Sequence, residues 1–322
     1  MSKQLMKGNE ALAEAALRAG CRFYSGYPIT PQTEILEYLA KRMDEVGGTF
    51  VQTESELAGI NMLLGAAAAG ARALTSSAGP GFSLNQEGIS YLVAADLPAV
   101  IINVMRIGTG LGDIAQGQGD YWQMTRGGGH GDYKLLTYAP STVQEAVDIL
   151  YYAFDKADEY RTPVCILGDG LLGQIMEPVT FPEMKEMPDP STKSWAVTGT
   201  HHGKDKTLAS SIYIDPNLGE AQNNHLVEKF ERIAQKETQC EEFMCDDAEI
   251  ILTGYGSVGR IIKSAIYMLR EKGIKAGLVR PITLMPFPTK VYEKYAAKAS
   301  VKRFLTVELS MGQFVEDVKL SV

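Results

Sequence analysis

Four short stretches of this chain carry residues whose types and spacing could do chemistry. In "YSGYPITPQTE", residues 24 to 34, Pro28 biases Tyr27 toward an extended backbone, and Thr30-Pro31 is a helix-start pattern with Thr30 as N-cap and Pro31 at the first helical position. A strand-to-helix turn of this kind aims backbone N–H groups and a threonine hydroxyl at one spot, which suits a small anion or is mere punctuation. "VQTESELAG" holds Thr53-x-x-Glu56, a capping box by pattern, with a catalytic role for the Glu56 carboxylate as its competitor. "SSAGPGFS" is a glycine-rich turn without the Lys-Ser/Thr of a P-loop; it could cradle a phosphate or let two backbones approach. "GYGSVG" sets Gly254, Gly256 and Gly259 in the G-x-G-x-x-G pattern between a strand and a helix. A ribose-binding carboxylate is expected near the end of "AGLVRP", where Arg280 and Pro281 stand instead, so a tight turn packed on its helix is the simpler reading.

The elements that must position these residues follow from periodicity. From Gly8 to about Gly170, helical and strand-like segments alternate as in a parallel α/β domain. "NEALAEAALRAG" is a helix capped by Asn9; "TFVQT", "RALTSS", "AVIINVM" and "PVCILG" are strands. "ELAGINMLLGAAAAG", "SLNQEGISYLVAAD" and "TVQEAVDILYYAFDKADEY" are helices between them. The glycine-rich stretch after Met105, residues 107–132 at its centre, is too long for an ordinary connection and reads as functional or disordered. A proline-rich polar linker follows Gly173, then a charged amphipathic helix over "NNHLVEKFERIAQKETQCEEFM", then a second small α/β unit from "AEIILTGYG" onward. The expected division is 1–175, 176–245 for linker and connecting helix, and 246–322.

A chain of 322 residues with 45% hydrophobic content can bury real cores without staples. A net charge of −8 with scattered lysines and arginines argues against a nucleic-acid partner. No stretch reaches the roughly 18 apolar residues of a membrane span, and the N-terminus lacks a signal-peptide core, so a soluble cytoplasmic protein is expected. Cys21, Cys165, Cys240 and Cys245 form no C-x-x-C pair, and His201-His202 have no third ligand in view, so neither a metal nor an iron–sulfur cluster is expected on this chain. Cys21 and Cys165 sit in apolar contexts and are expected in the core.

Taken together, "GYPITPQTE", "ESELAGINMLLGAAAAGARALTSSAGPG", "NVMR", "TRGGGHGDY" and "YGSVGR" resemble the alpha-type subunit of 2-oxoacid:ferredoxin oxidoreductases, in the branch acting on branched-chain 2-oxoacids such as 2-oxoisovalerate. The resemblance covers nearly the whole chain. It implies a thiamine diphosphate pyrimidine-binding-like parallel-sheet domain followed by a smaller transketolase C-terminal-like α/β domain. It also implies a cofactor shared between two subunits: this type supplies the pyrimidine side, and a beta-type subunit supplies the diphosphate and Mg2+ half with an iron–sulfur cluster. "GDG" at Gly168 to Gly170 opens like the magnesium motif of such enzymes, but the asparagine pair due about 25 to 30 residues later is missing, Asn223-Asn224 being too distant.

By resemblance Glu56 is catalytic, its carboxyl hydrogen-bonding the pyrimidine ring nitrogen and promoting the imino tautomer. Pro28, Ile29, Gly79 and Pro80 join Glu56 on the cofactor, Thr30 contacts the 2-oxoacid, and Arg106 pairs with its carboxylate as a bidentate donor. Two electrons would pass singly to iron–sulfur clusters on partner chains and on to ferredoxin, with coenzyme A accepting the acyl group. A gamma subunit and a ferredoxin-like subunit complete the implied assembly, and the isolated chain is expected to be inactive. A rival within the class takes 2-oxoglutarate, whose second carboxylate His130 or Arg126 could meet. A rival of another class is a nucleotide-binding regulatory module built on "GYGSVG". Family members usually continue for some tens of residues past the position of Val322, so the last unit is expected to be a shortened one.

Overall fold

Strands such as "AVIINVMRI" and "PVCILGD" are buried over nearly their whole length, which requires a sheet covered on both faces. The computed structural model describes residues 3–187, 189–199 and 205–322; His201 and His202 lie outside the described residues. In chain order the elements are β1 (Gln4–Lys7), α1 (Gly8–Arg18), β2 (Phe23–Gly26), α2 (Thr33–Arg42), β3 (Thr49–Gln52), α3 (Glu56–Ala68), β4 (Ala73–Ser77) and α4 (Gly79–Ala94). Next come β5 (Ala99–Ile107), β6 (Asp113–Gln116), α5 (Tyr121–Thr125), β7 (Leu136–Tyr138), α6 (Val143–Tyr160), β8 (Pro163–Asp169), α7 (Gly170–Gln174) and β9 (Met176–Val179). The chain continues with α8 (Pro216–Glu237), β10 (Cys240–Phe243), β11 (Ile250–Thr253), α9 (Gly256–Glu271), β12 (Ala276–Pro281), β13 (Thr283–Met285), α10 (Thr289–Ala296), β14 (Arg303–Thr306) and α11 (Phe314–Leu320).

The main sheet has the order β13-β7-β8-β5-β4-β2-β3, parallel from β7 to β3, with β6 added antiparallel to the end of β5. One face packs against α1, α2 and α6; the other packs against α3 and α4 and meets Tyr255, Tyr292 and Phe314 from beyond residue 250. A smaller sheet, β10-β12-β11-β14, carries α9. The strand β13 leaves it and returns to the edge of the main sheet, pairing Thr283 with Tyr138. Among the described residues no helix is long and apolar enough to cross a membrane.

Three local expectations change. Asn9 does not cap α1, whose N-cap is Lys7; the Asn9 amide instead reaches Pro31 O and Glu34 Oε2, at 2.7 and 2.9 Å. "QCEEFM" does not prolong α8 but forms β10, because Glu241 and Glu242 face opposite sides of a strand, toward Arg280 and Lys294 respectively. The glycine-rich stretch is ordered into the β5–β6 hairpin and α5, with β7 just beyond it.

Candidate active site

The strands β5, β4, β2 and β3 are neighbours in the sheet, run parallel, and therefore end at one edge. Each is followed there by a candidate: Arg106 near the end of β5, the Ser77–Gly81 segment after β4, the 27–32 turn after β2, and Glu56 after β3.

Thr30 is not a helix cap. The helix α2 starts at Thr33 with Gln32 in the cap position. An N-cap carbonyl must open the helical ladder, but Thr30 O accepts from Arg106 Nη1 at 3.0 Å, and Pro31 O accepts from Asn9 Nδ2 and from Gln174 Nε2. Gln32 is fully buried and holds the turn: its Nε2 donates to Tyr27 O at 3.2 Å, and its Oε1 accepts from Ser76 Oγ at 2.6 Å, itself bonded to Tyr24 Oη. The turn thus presents Thr30 outward and exposed, with Pro28 and Ile29 half-buried beside it.

Thr53 does not form a capping box either. Ser55 caps α3, accepting from Ala58 N at 3.3 Å, and Thr53 Oγ1 donates to Ser55 O. Glu56 is the first residue of the helix, two positions short of the one a capping box uses, so its carboxylate is free for another task. It is 7% exposed and makes no hydrogen bond among the described residues. Its side chain lies over Gly81 in the first turn of α4: a Cβ added there would collide with Glu56 Oε1 and stand 2.5 Å from Ser77 Oγ. Ser77 Oγ is itself buried without a partner. A buried carboxyl and an unpaired hydroxyl, packed together against a glycine that leaves them room, form a polar set that fits the aminopyrimidine half of thiamine diphosphate.

Arg106 is 9% exposed and does not offer a wholly free fork. Nη1 holds Thr30 O, Nη2 holds Leu111 O at 2.6 Å, and Nε is buried and unpaired. Gly79, with φ of +48°, comes so close that a Cβ would sit 3.3 Å from Nε. Beside it Asp120 accepts from Gly79 N at 3.0 Å and from Asn103 Nδ2 at 3.2 Å. Burial pushes the Asp120 carboxyl above its ordinary range, against the pull of Asn103, the Gly79 amide and the Arg106 charge. The amide at the head of α4 is therefore taken by an internal carboxylate, and "SSAGPGFS" is no phosphate cradle.

A cavity of about 760 Å³ opens in front of Gly79 and Pro80, between the β5–β6 hairpin and residues 308–313. Glu56 does not line it; the Gly79–Gly81 segment stands between the two. The far wall is tied on by Gln118 N to Leu309 O at 2.8 Å, Leu309 N to Gln118 Oε1, and Gln313 Nε2 to Gly119 O.

The two remaining motifs satisfy one another. Asp169, the acid of "GDG", is fully buried and accepts from Ser257 Oγ at 2.6 Å, Ser257 N at 3.1 Å and Leu172 N at 3.0 Å. The helix start behind "GYGSVG" already holds an anion from its own chain, and Gly256, φ +58°, lets that anion approach. Arg280 bridges Glu145 and Glu241, and Gly259 leaves room for its side chain. The Ser257 amide and hydroxyl that a nucleotide phosphate would use at this turn are thus taken by Asp169. Arg126 pairs with Asp317 at 2.9 Å, while the loop bearing His130 packs on Gln86 and Ser90, about two to three helical turns along α4 from Gly79, which packs on Arg106. Cys21 and Cys165 are fully buried, burial pushing the Cys21 thiol up to about 12.

Asp120, Asn103, Ser77 and Gln32 were invisible as site residues in the sequence. Their roles depend on which strands lie side by side; the pair of serines before "AGPG" is the only local signal.

Known proteins bear on this geometry. The family model for the thiamine diphosphate-binding part of pyruvate flavodoxin/ferredoxin oxidoreductase matches residues 14–241, and that for core domain II of pyruvate:ferredoxin oxidoreductase matches residues 248–322. Ketoisovalerate oxidoreductase subunit VorB of Methanothermobacter thermautotrophicus is 49% identical over 321 residues, covering 100% of this chain and 90% of its own. 2-Oxoglutarate synthase subunit KorA of Methanocaldococcus jannaschii is 34% identical over 344 residues, covering 99% of this chain and 92% of its own. In structure, 2-oxoglutarate:ferredoxin oxidoreductase from Magnetococcus marinus, with 2-oxoglutarate, coenzyme A and succinyl-CoA bound, matches 100% of this chain with a TM-score of 0.87. The match spans 60% of that longer chain at 24% identity, a likeness of fold.

Proposed function

This chain belongs to the pyruvate flavodoxin/ferredoxin oxidoreductase family, and on that premise we propose that it is the pyrimidine-side subunit of an enzyme that oxidatively decarboxylates 2-oxoisovalerate to an acyl-CoA and CO2, with ferredoxin as acceptor. The observation that carries the reading is the buried Glu56 carboxyl against Gly81, two residues along α4 from Gly79, on which the Arg106 guanidinium packs. Thiamine diphosphate, when bound, supplies a nucleophilic carbon that adds to the 2-keto group and takes up the electron pair left as CO2 departs.

The residues of this chain then have distinct tasks. Glu56 holds or gives up a proton at Oε1 toward the pyrimidine ring, shielded from water by the apolar side of α3 and by Gly81. Pro28, Ile29, Gly79 and Pro80 form the walls on which the ring is oriented. Arg106 Nε, the donor left unpaired, meets the substrate carboxylate, while its two other nitrogens keep the Thr30 turn and the Leu111 hairpin in register. Thr30 offers its hydroxyl to the 2-oxoacid from the exposed turn.

The diphosphate and Mg2+ half, and the iron–sulfur clusters, are assigned to partner subunits of the beta, gamma and ferredoxin-like types. Support comes from the commitment of Asp169 to Ser257 and from the exposed apolar side chains around the site edge, Leu57 and Met62 on α3, Leu84 on α4, and Leu111 and Ile114 on the hairpin. Free cysteines suit a reducing, cytoplasmic setting. Against 2-oxoglutarate as substrate stand the engagement of Arg126 by Asp317 and the higher identity to VorB than to KorA. Viologen reduction by the native complex, comparing 2-oxoisovalerate with 2-oxoglutarate in the presence of coenzyme A and thiamine diphosphate, tests the assignment. A clear preference for 2-oxoisovalerate is expected; a preference for 2-oxoglutarate overturns it.

A further inference from the structure

Between α3 and α4 the packing is close and almost wholly apolar. Gly81 meets Glu56 and Gly88 meets Ile60, so near that a Cβ at either glycine would collide. Gly81, Asn85 and Gly88 lie on one stripe of α4, at spacings of four and three residues, so Asn85 sits in the same seam, one turn below Gly81. Asn85 is fully buried, and neither its Nδ2 nor its Oδ1 has a partner among the described residues. Ser77, fully buried at the end of β4, likewise has no partner for Oγ and packs with Glu56 against Gly81. Leucine would fill the place of Asn85 in such a seam at less cost than an amide with two unpaired ends. Glu56 is the one charged residue among the buried positions of these two helices.

We propose that Ser77 and Asn85 are positioning residues of the Glu56 carboxyl: flanking it from β4 and from the next turn of α4, they supply the hydrogen bonds that orient it when a pyrimidine ring is bound against it. The inference rests on the reading of Glu56 given above. In the ligand-free chain the carboxyl packs against Gly81 and these bonds are unmade. With a ring bound, one carboxyl oxygen faces the ring and the other accepts from Ser77 Oγ and Asn85 Nδ2. Two polar groups are kept unpaired in the free protein so that the bound one has a single carboxyl orientation, a local sacrifice of stability for function.

The test uses Ser77→Ala and Asn85→Leu in the assembled complex, each also combined with Glu56→Gln, and Asn85→Ala as the smaller replacement should leucine prevent folding. The complex stripped of thiamine diphosphate is expected to melt at the same temperature as the parent or higher, because an unpaired buried polar group has been removed. Thiamine diphosphate affinity, read by calorimetry, falls about tenfold in each variant, the pH profile of kcat shifts, and KM for 2-oxoisovalerate stays. In the Glu56→Gln background the same changes leave the affinity where Glu56→Gln alone puts it. A lowered melting temperature with unchanged cofactor affinity overturns the proposal, as does full additivity with Glu56→Gln. If Glu56→Gln is inactive but the Ser77 and Asn85 variants bind thiamine diphosphate normally, this inference alone fails; if Glu56→Gln is fully active, the reading of Glu56 fails with it.

Discussion

Gly81→Ala separates the site from the scaffold. Gly81 is the third residue of α4 and its φ is not positive, so alanine is compatible with the backbone and favours the helix by up to about 1 kcal/mol. The new methyl, however, would stand 2.5 Å from Ser77 Oγ, where ordinary contacts begin at 3.4 Å, and would collide with Glu56 Oε1. Both are ends of side chains, so they can retreat, by about 1 Å each, at small cost to the fold. A displacement of about 1 Å at a catalytic group costs on the order of 10²-fold in rate, or about 2.7 kcal/mol of transition-state stabilisation. The variant complex should therefore melt within a few degrees of the parent while its kcat for viologen reduction, at saturating 2-oxoisovalerate, coenzyme A and thiamine diphosphate, falls about a hundredfold. A folded variant with near-parental kcat would refute the catalytic reading of the Glu56 carboxyl at its place against Gly81.

Other consequences are as direct. In Arg106→Lys a single nitrogen cannot span Thr30 O and Leu111 O and also face the substrate as the three nitrogens of the guanidinium do, so KM for the 2-oxoacid should rise about 10- to 100-fold with a smaller fall in kcat; steady-state kinetics showing an unchanged KM would count against the carboxylate assignment. Asp120 has a raised folded pKa, so from the ordinary aspartate value of 3.8 up to that folded value the native protein keeps a proton the unfolded chain has lost, and stability falls as pH rises through the window. Asp120→Asn, which retains an acceptor for Gly79 N, should remove that fall; thermal denaturation across the window with an unaltered slope would contradict it. Asp169→Leu strips Ser257 and Leu172 of a buried charged acceptor and should cost on the order of 3 kcal/mol in chemical denaturation. Titration of the parent with adenine nucleotides should give no binding at "GYGSVG", and saturable binding there would reopen the nucleotide reading.

Much of the fold was legible because its signals are local. Continuous apolar strands and amphipathic helices announce a doubly covered parallel sheet, and most elements of residues 8–170 lie where periodicity puts them. Local patterns failed where a distant partner captured the group that would have completed them. The Thr30-Pro31 helix start is undone by Arg106, Asn9 and Gln174 taking its carbonyls. The Thr53 capping box gives way to Ser55, and the two phosphate-binding patterns are answered by Asp120 and Asp169. Glu56 and Arg106 were singled out as candidates through a resemblance to a family, whereas Ser77, Asn85 and Asp120 carry no signature of their own. A serine at a strand end, an asparagine in a helix and an aspartate in a glycine-rich stretch acquire meaning only when the sheet order makes them neighbours.

The measurement that bears most directly on the account is viologen reduction with 2-oxoisovalerate, coenzyme A and thiamine diphosphate by the complex carrying Glu56→Gln, with subunit assembly checked by size-exclusion chromatography. Glutamine keeps the volume and the buried place of Glu56 but cannot exchange a proton with the pyrimidine ring. An assembled complex whose kcat has fallen by about 10² or more is the result predicted; an assembled complex turning over at close to the parental rate would contradict the central claim.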